Sequence, residues 1–214
     1  GDFSKPKVPK EIVLKQIVHS VNGVIMGLHS MKVAGVVNTD LHSGNILLSE
    51  NNLSENNNSN NKLTSYMADF GWAEKSNTTV LVDEHQTNNQ RVHLSNNRGA
   101  AGWGPKPPEF IRAKKNELFV WKPSFDVWAS GVAISKFCMS LLGLKHGAKN
   151  ERWLDGNDAN VEGLGLGGGF GYLDDDVKVR KYIEKHFLDP LRRSAIPEYV
   201  INVVAQFLEV DENL

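Results

Sequence analysis

The chain of 214 residues is nearly without cysteine, carries almost no net charge and has no long uninterrupted apolar run, and each shortage excludes something. With Cys138 alone, no internal disulfide and no cysteine-based zinc site can form. That thiol sits in the apolar run Val132-Ala133-Ile134-Ser135-Lys136-Phe137-Cys138-Met139, where it reads as a small buried hydrophobe. The 24 basic residues against 25 acidic ones leave a net charge of -1, so no bulk field draws the protein to nucleic acid or an anionic membrane. A local basic patch stays open. The longest apolar stretch, residues 127–144, is broken by Lys136 and several serines, which argues against a membrane span. The N-terminus has no apolar signal region and no Met, so the sequence is expected to be a piece of a longer chain. What remains, 40% hydrophobic and 23% charged residues, is ordinary for a soluble globular domain with a sizeable core.

Ile12, Val13, Ile17, Val18, Val21, Val24, Ile25 and Leu28 recur at three- and four-residue spacing up to about Met31. This predicts an amphipathic helix of roughly five turns beginning after Pro9. Val33 to Val37 should be extended, Ile46-Leu47-Leu48 a short strand, and Leu63 to Ala68 its partner. Between these strands the Asn-rich run at 51–62 is far longer than a hairpin needs and has little to bury, so it reads as a flexible surface insertion. Residues 72–104 are polar and aperiodic and read as a long loop. Pro107-Pro108-Glu109 opens a short helix, and Ser124-Phe125-Asp126 reads as the cap of another from Val127 to about Leu142. Because that second helix is apolar nearly all round, it belongs in the centre of the domain. A Gly-rich loop at 163–171, a charged helix near Val177 to Phe187 and an amphipathic one from about Pro197 to Leu208 complete the chain. The fold class expected is mainly α (α+β), with a small β-hairpin region near residues 36–70.

Two polar clusters lie beside these strands. In Asp40-Leu41-His42-Ser43-Gly44-Asn45 the Asp and Asn are five apart on a loop that could bring them to one point. There a carboxylate could take a proton from an attacking hydroxyl while an amide oxygen ligates Mg²⁺. Asp69, before Phe70-Gly71, is a carboxylate at a strand end and a natural magnesium ligand. Each is also a residue type that caps plain turns, so the ordered pair says more than either alone.

Four motifs together resemble the large, C-terminal lobe of eukaryotic-type protein kinases. Asp40 to Asn45 matches the catalytic-loop spacing, Asp69-Phe70-Gly71 the magnesium motif, Pro107-Pro108-Glu109 the end of the activation segment (here a loop at 69–109), and Asp126-Val127-Trp128-Ala129-Ser130-Gly131 the start of the central helix. The resemblance implies ATP and Mg²⁺ as cofactors, Asp40 as catalytic base, Asn45 and Asp69 as cation and nucleotide ligands, and Glu109 and Asp126 as structural braces. His42 stands where the family has a lysine facing the transferred phosphate, and is a weaker, pH-dependent partner for it. Asn38 and Thr39 stand where the family has His-Arg. Without that arginine, a phosphate on Thr78, Thr79, Thr87 or Ser95 loses its usual receiver.

The strand-rich small lobe is expected to be absent from this piece, which alone should be inactive. Gly163-Leu164-Gly165-Leu166-Gly167-Gly168 has the spacing of a nucleotide loop but follows no strand and is rejected as one. The family's arginine partner for Glu109 is also missing, with Arg192 or Arg193 as substitutes. A looser resemblance is to divergent apicomplexan kinases, including the secreted rhoptry group of active kinases and pseudokinases. It is carried by the Asn-rich insertion, by Pro-Pro-Glu and by Lys122-Pro123-Ser124-Phe125-Asp126-Val127-Trp128. It implies release from a parasite organelle; otherwise a cytoplasmic location is expected. Three functions follow in order. The first is transfer of phosphate from ATP to Ser or Thr of a protein substrate in the complete parent. The second is a pseudokinase or scaffold binding a regulatory protein partner. The third is a small-molecule phosphotransferase of the aminoglycoside-kinase type, which the Asp40–Asn45 loop fits and the later motifs do not.

Overall fold

The computed structural model describes residues 10–51, 62–82, 92–95, 100–101, 107–109, 118–142 and 176–209. It is mostly helical with small antiparallel sheets, an α+β architecture. The Asn-rich stretch between Asn51 and Lys62, Thr87 and the Gly-rich loop at 163–171 lie outside the described residues.

Helix α1, Lys10–Ala34, is 25 residues long and begins where Pro9 predicts. It runs three residues past the expected end, so Val33 and Ala34 are helical and not extended. The apolar pattern stops at Met31, but nothing breaks the backbone until Gly35. There φ reaches +67°, a conformation glycine adopts without a Cβ penalty, and the Gly35 N–H closes on the Lys32 carbonyl at 3.1 Å. The buried stripe of α1 includes Ile17, Val21, Val24 and Met31.

Strand β1, Val36–Val37, pairs with β4, Glu74–Lys75. Strands β2, Ile46–Asn51, and β3, Lys62–Met67, form the predicted hairpin in register Ile46↔Met67 through Asn51↔Lys62. β3 lies on α1 at two glycines. A Cβ at Gly23 would stand 2.7 Å from Ser65 Cβ, and one at Gly27 would stand 2.9 Å from Met67 Sδ. The close approach also lets Ser65 Oγ donate to the Ser20 carbonyl at 2.9 Å.

The stretch read as a loop over 72–104 is instead partly sheet. Besides β4 it holds β5 (Thr79–Val82), β6 (Val92–Ser95) and β7 (Ala100–Ala101), in a sheet ordered β7-β6-β5-β8 with β8 at Leu118–Val120. These strands are two to four residues long, too short to show a period of two, and β5 finds β8 from far along the chain, Thr79 opposite Val120.

Helix α2, Ser124–Leu141, is the central element, and every residue from Trp128 to Ser135 is buried. Its cap differs from expectation. Pro123 is the N-cap and Ser124 already lies in the helix, while no side chain caps the end. Asp126 sits in the first turn with its carboxylate committed elsewhere. Beyond α2, helix α3 (Asp176–Ile183) passes through a π turn at Glu184–Leu188 into the short α4 (Asp189–Arg192). The last helix, α5, Glu198–Phe207, buries Val200, Ile201, Val203 and Val204. It ends against α2 at Gly131, where a Cβ would come within 2.8 Å of Leu208 Cδ2. One hydrophobic core therefore joins α1, α2 and the C-terminal helices.

Candidate active site

The two strand pairs bring the polar motifs side by side. Residues 38–45 leave β1 and enter β2, residues 68–73 leave β3 and enter β4, and because β1 pairs with β4 and β2 with β3 the two loops close the same end. The Ala68 N–H to the Asn45 carbonyl, 2.9 Å, continues the hairpin ladder into the site.

Asp126 anchors the first loop from below. It is 1% exposed, its Oδ2 accepts the Asn38 N–H at 2.6 Å, and its Oδ1 accepts the Thr39 N–H at 3.2 Å. Both loop amides thus find charged acceptors in the first turn of α2. Burial pushes the Asp126 carboxyl up to about 6, and the two amide bonds pull against that shift.

Asp40 is 5% exposed and its backbone is held on both sides. The Asp40 N–H donates to Asn38 Oδ1 at 3.1 Å, and its carbonyl accepts from Asn45 Nδ2 at 2.9 Å. With its nitrogen committed, Asn45 has Oδ1 as the atom for a cation. Asp69 follows β3 with an exposed side chain and φ of +55°, and its Oδ1 accepts the Gly71 N–H at 3.2 Å. Among the described residues no group of three His, Cys, Asp or Glu could hold a metal alone. One carboxylate with one amide oxygen does fit Mg²⁺, which keeps several waters and takes its remaining ligands from phosphate.

His42 has a local task beyond the one implied. Its Nδ1 accepts the Gly44 N–H at 3.0 Å, capping the 3-10 turn Ser43–Asn45, and leaves Nε2 as the other nitrogen. A Cβ on Gly44 would meet the ring at 2.8 Å, so the glycine is what lets the imidazole fold back. Glu109 is exposed behind the buried Pro107 and Pro108. Arg192, offered as its partner, pairs with Glu184 and Asp189, and Arg193 pairs with Asp189.

Two side chains act in ways the sequence did not announce. Asn38 Nδ2 donates to the Asp69 carbonyl at 3.1 Å, and Thr39 Oγ1 donates to the Trp72 carbonyl at 2.7 Å. Both appeared only as departures from the kinase pattern, and no local signal marks them as links to the other loop. The structure joins Asp40, His42, Asn45, Asp69 and Asp126 in one backbone-centred assembly.

No protein-family model matches the chain, and no curated protein matches it. Among solved structures it is similar to the crystal structure of a rhoptry kinase from Toxoplasma gondii, at 14% sequence identity and a TM-score of 0.46. The match covers 93% of this chain and 41% of that one, so the chain spans well under half of that protein's length. Among the described residues no helix is long and apolar enough to cross a membrane.

Proposed function

We propose that the chain is the catalytic-loop half of a protein-kinase-like domain, whose complete parent moves the γ-phosphoryl group of ATP to a Ser or Thr hydroxyl of a protein. The observation that carries the reading is the Asp126 carboxylate, which receives the amides of Asn38 and Thr39 from 88 and 87 residues away and thereby sets Asp40. A turn-capping Asp has no need of such a brace.

In this reading the hydroxyl oxygen attacks the γ-phosphorus, the bond to the β-phosphate oxygen breaks, ADP leaves, and the hydroxyl proton passes to the Asp40 carboxylate. Asn45 Oδ1 and the Asp69 carboxylate would hold Mg²⁺, which neutralises charge on the phosphates when bound. Asn38 and Asn45 fix the Asp40 backbone from either side, so the base is positioned without cost at the moment of reaction.

In the complete parent, Asp69→Ala should abolish the Mg²⁺-ATP-dependent rise in melting temperature, and Asp40→Asn should remove radiolabel transfer while nucleotide binding stays. An unchanged thermal shift in the first variant, or undiminished transfer in the second, contradicts the assignment.

The second reading, a pseudokinase that binds a protein partner, is favoured by His42. Its ring caps its own turn through Nδ1 where the family has a flexible lysine, so it is less free to reach a transferred phosphate.

A further inference from the structure

Thr39 is 1% exposed and occupies φ of +64°, the left-handed region that a β-branched residue enters rarely. Its N–H is tied to Asp126 and its hydroxyl reaches across to the other loop, donating to the Trp72 carbonyl at 2.7 Å. Its neighbour Asn38 donates to the Asp69 carbonyl at 3.1 Å. These two adjacent side chains therefore grip both ends of the four-residue turn 69–72, which carries the Asp69 carboxylate at its exposed start. A glycine or asparagine would take the Thr39 backbone conformation more readily, but glycine has no side chain and asparagine lacks a hydroxyl at Cβ.

We propose that Thr39 is a positioning residue for Asp69, its hydroxyl latching the turn at Trp72 so that the carboxylate stands ready for a divalent cation. The latch is neutral, and it is supplied by the catalytic loop itself. The inference rests on Asp69 as a cation ligand, so the test separates the two claims.

Mn²⁺ binding to the 214-residue chain is measured by water proton relaxation for the native protein, Asp69→Ala, Thr39→Val and Thr39→Ser, with amide exchange at Ala73. The Ala73 N–H closes the turn on the Phe70 carbonyl at 3.1 Å and so reports its order. Valine keeps the β-branched shape and loses the hydroxyl; serine keeps the hydroxyl. Thr39→Val should weaken Mn²⁺ about three- to ten-fold, the size of one neutral hydrogen bond, and speed Ala73 exchange by a similar factor. Thr39→Ser should retain most of the native affinity and protection. If Asp69→Ala weakens Mn²⁺ while the Val and Ser variants bind it equally well, the positioning role is overturned and the cation ligand stands. Faster Ala73 exchange with unchanged Mn²⁺ affinity in Thr39→Val also overturns it, leaving a merely structural bond. Unchanged affinity in Asp69→Ala overturns the cation reading and the latch with it. Thr39→Ala replaces Thr39→Val should the latter fail to fold.

Discussion

Asp126→Asn tests whether the site is braced by a carboxylate that the fold holds at a cost. In the native chain each carboxylate oxygen takes one buried amide, from Asn38 and from Thr39. Asparagine offers one oxygen, so one amide faces an NH₂ group, and a buried donor without an acceptor costs about 1–3 kcal/mol. Against this stands the desolvation of the native carboxylate, whose pKa is raised from 3.8 to about 6. At about 1.4 kcal/mol per unit, keeping it ionised at neutral pH costs the fold about 3 kcal/mol, a cost asparagine never bears. The two effects nearly offset at pH 7.5, where the variant should unfold in urea close to the native midpoint. Because the folded pKa lies above the unfolded one, the folded state binds the extra proton. The associated stability is complete below 3.8 and is lost as pH rises through about 6. Native stability should therefore gain about 2 kcal/mol relative to the variant between pH 7.5 and pH 4.5. Urea midpoints at the two pH values, with equal m-values, measure it. A gap that stays constant, or that widens toward high pH, refutes the reasoning.

Alanine at two glycines one turn apart in α1 should act differently. Each removes a helical glycine, worth about 1 kcal/mol. At Gly23 the new Cβ meets Ser65 Cβ and its backbone nitrogen at 2.7 and 2.9 Å, so the strand must shift, and a net loss of about 1–2 kcal/mol is expected. At Gly27 it meets the flexible side chain of Met67, so Gly27→Ala should be neutral or stabilising. Urea unfolding decides it, and a Gly23→Ala chain no less stable than Gly27→Ala contradicts the account. Ser130→Ala should raise stability by about 1 kcal/mol, since the buried Ser130 hydroxyl has no hydrogen-bond partner among the described residues and its desolvation is uncompensated there. A lowered melting midpoint counts against this.

The elements legible in the sequence are those whose information is local. The period of α1, the apolarity of α2, the hairpin from Ile46 to Met67 and the stripe of α5 each lie within one stretch and recur in the structure. The β5–β8 pairing was illegible because Thr79-Val80-Leu81-Val82 is too short to show a period and its partner is remote. Asp126 shows the same limit at one residue. A carboxylate in the first turn of a helix suits both a local cap and a distant amide, and only the approach of the loop after β1 to that turn selects the amides of Asn38 and Thr39. Of the candidate site, the order and spacing of Asp40, Asn45 and Asp69 were readable, because they are sequence properties. The contacts of Asn38 and Thr39 were not, because a neutral side chain announces nothing about a carbonyl on another loop.

Those two residues bear on how the site would respond to its surroundings. The bonds that shape the Asp69 turn, from Asn38 Nδ2 and Thr39 Oγ1 to backbone carbonyls, join neutral groups, and the two donor residues are buried. Dissolved salt screens charges and leaves such bonds almost untouched. The Asp69 carboxylate, by contrast, is exposed, and its attraction for a cation is screened. Salt should thus weaken cation binding through the carboxylate while the turn keeps its shape. A turn held by an arginine–phosphate pair would lose shape and affinity together. Asn38 and Thr39 thus give the turn a fastening of neutral bonds that salt does not release.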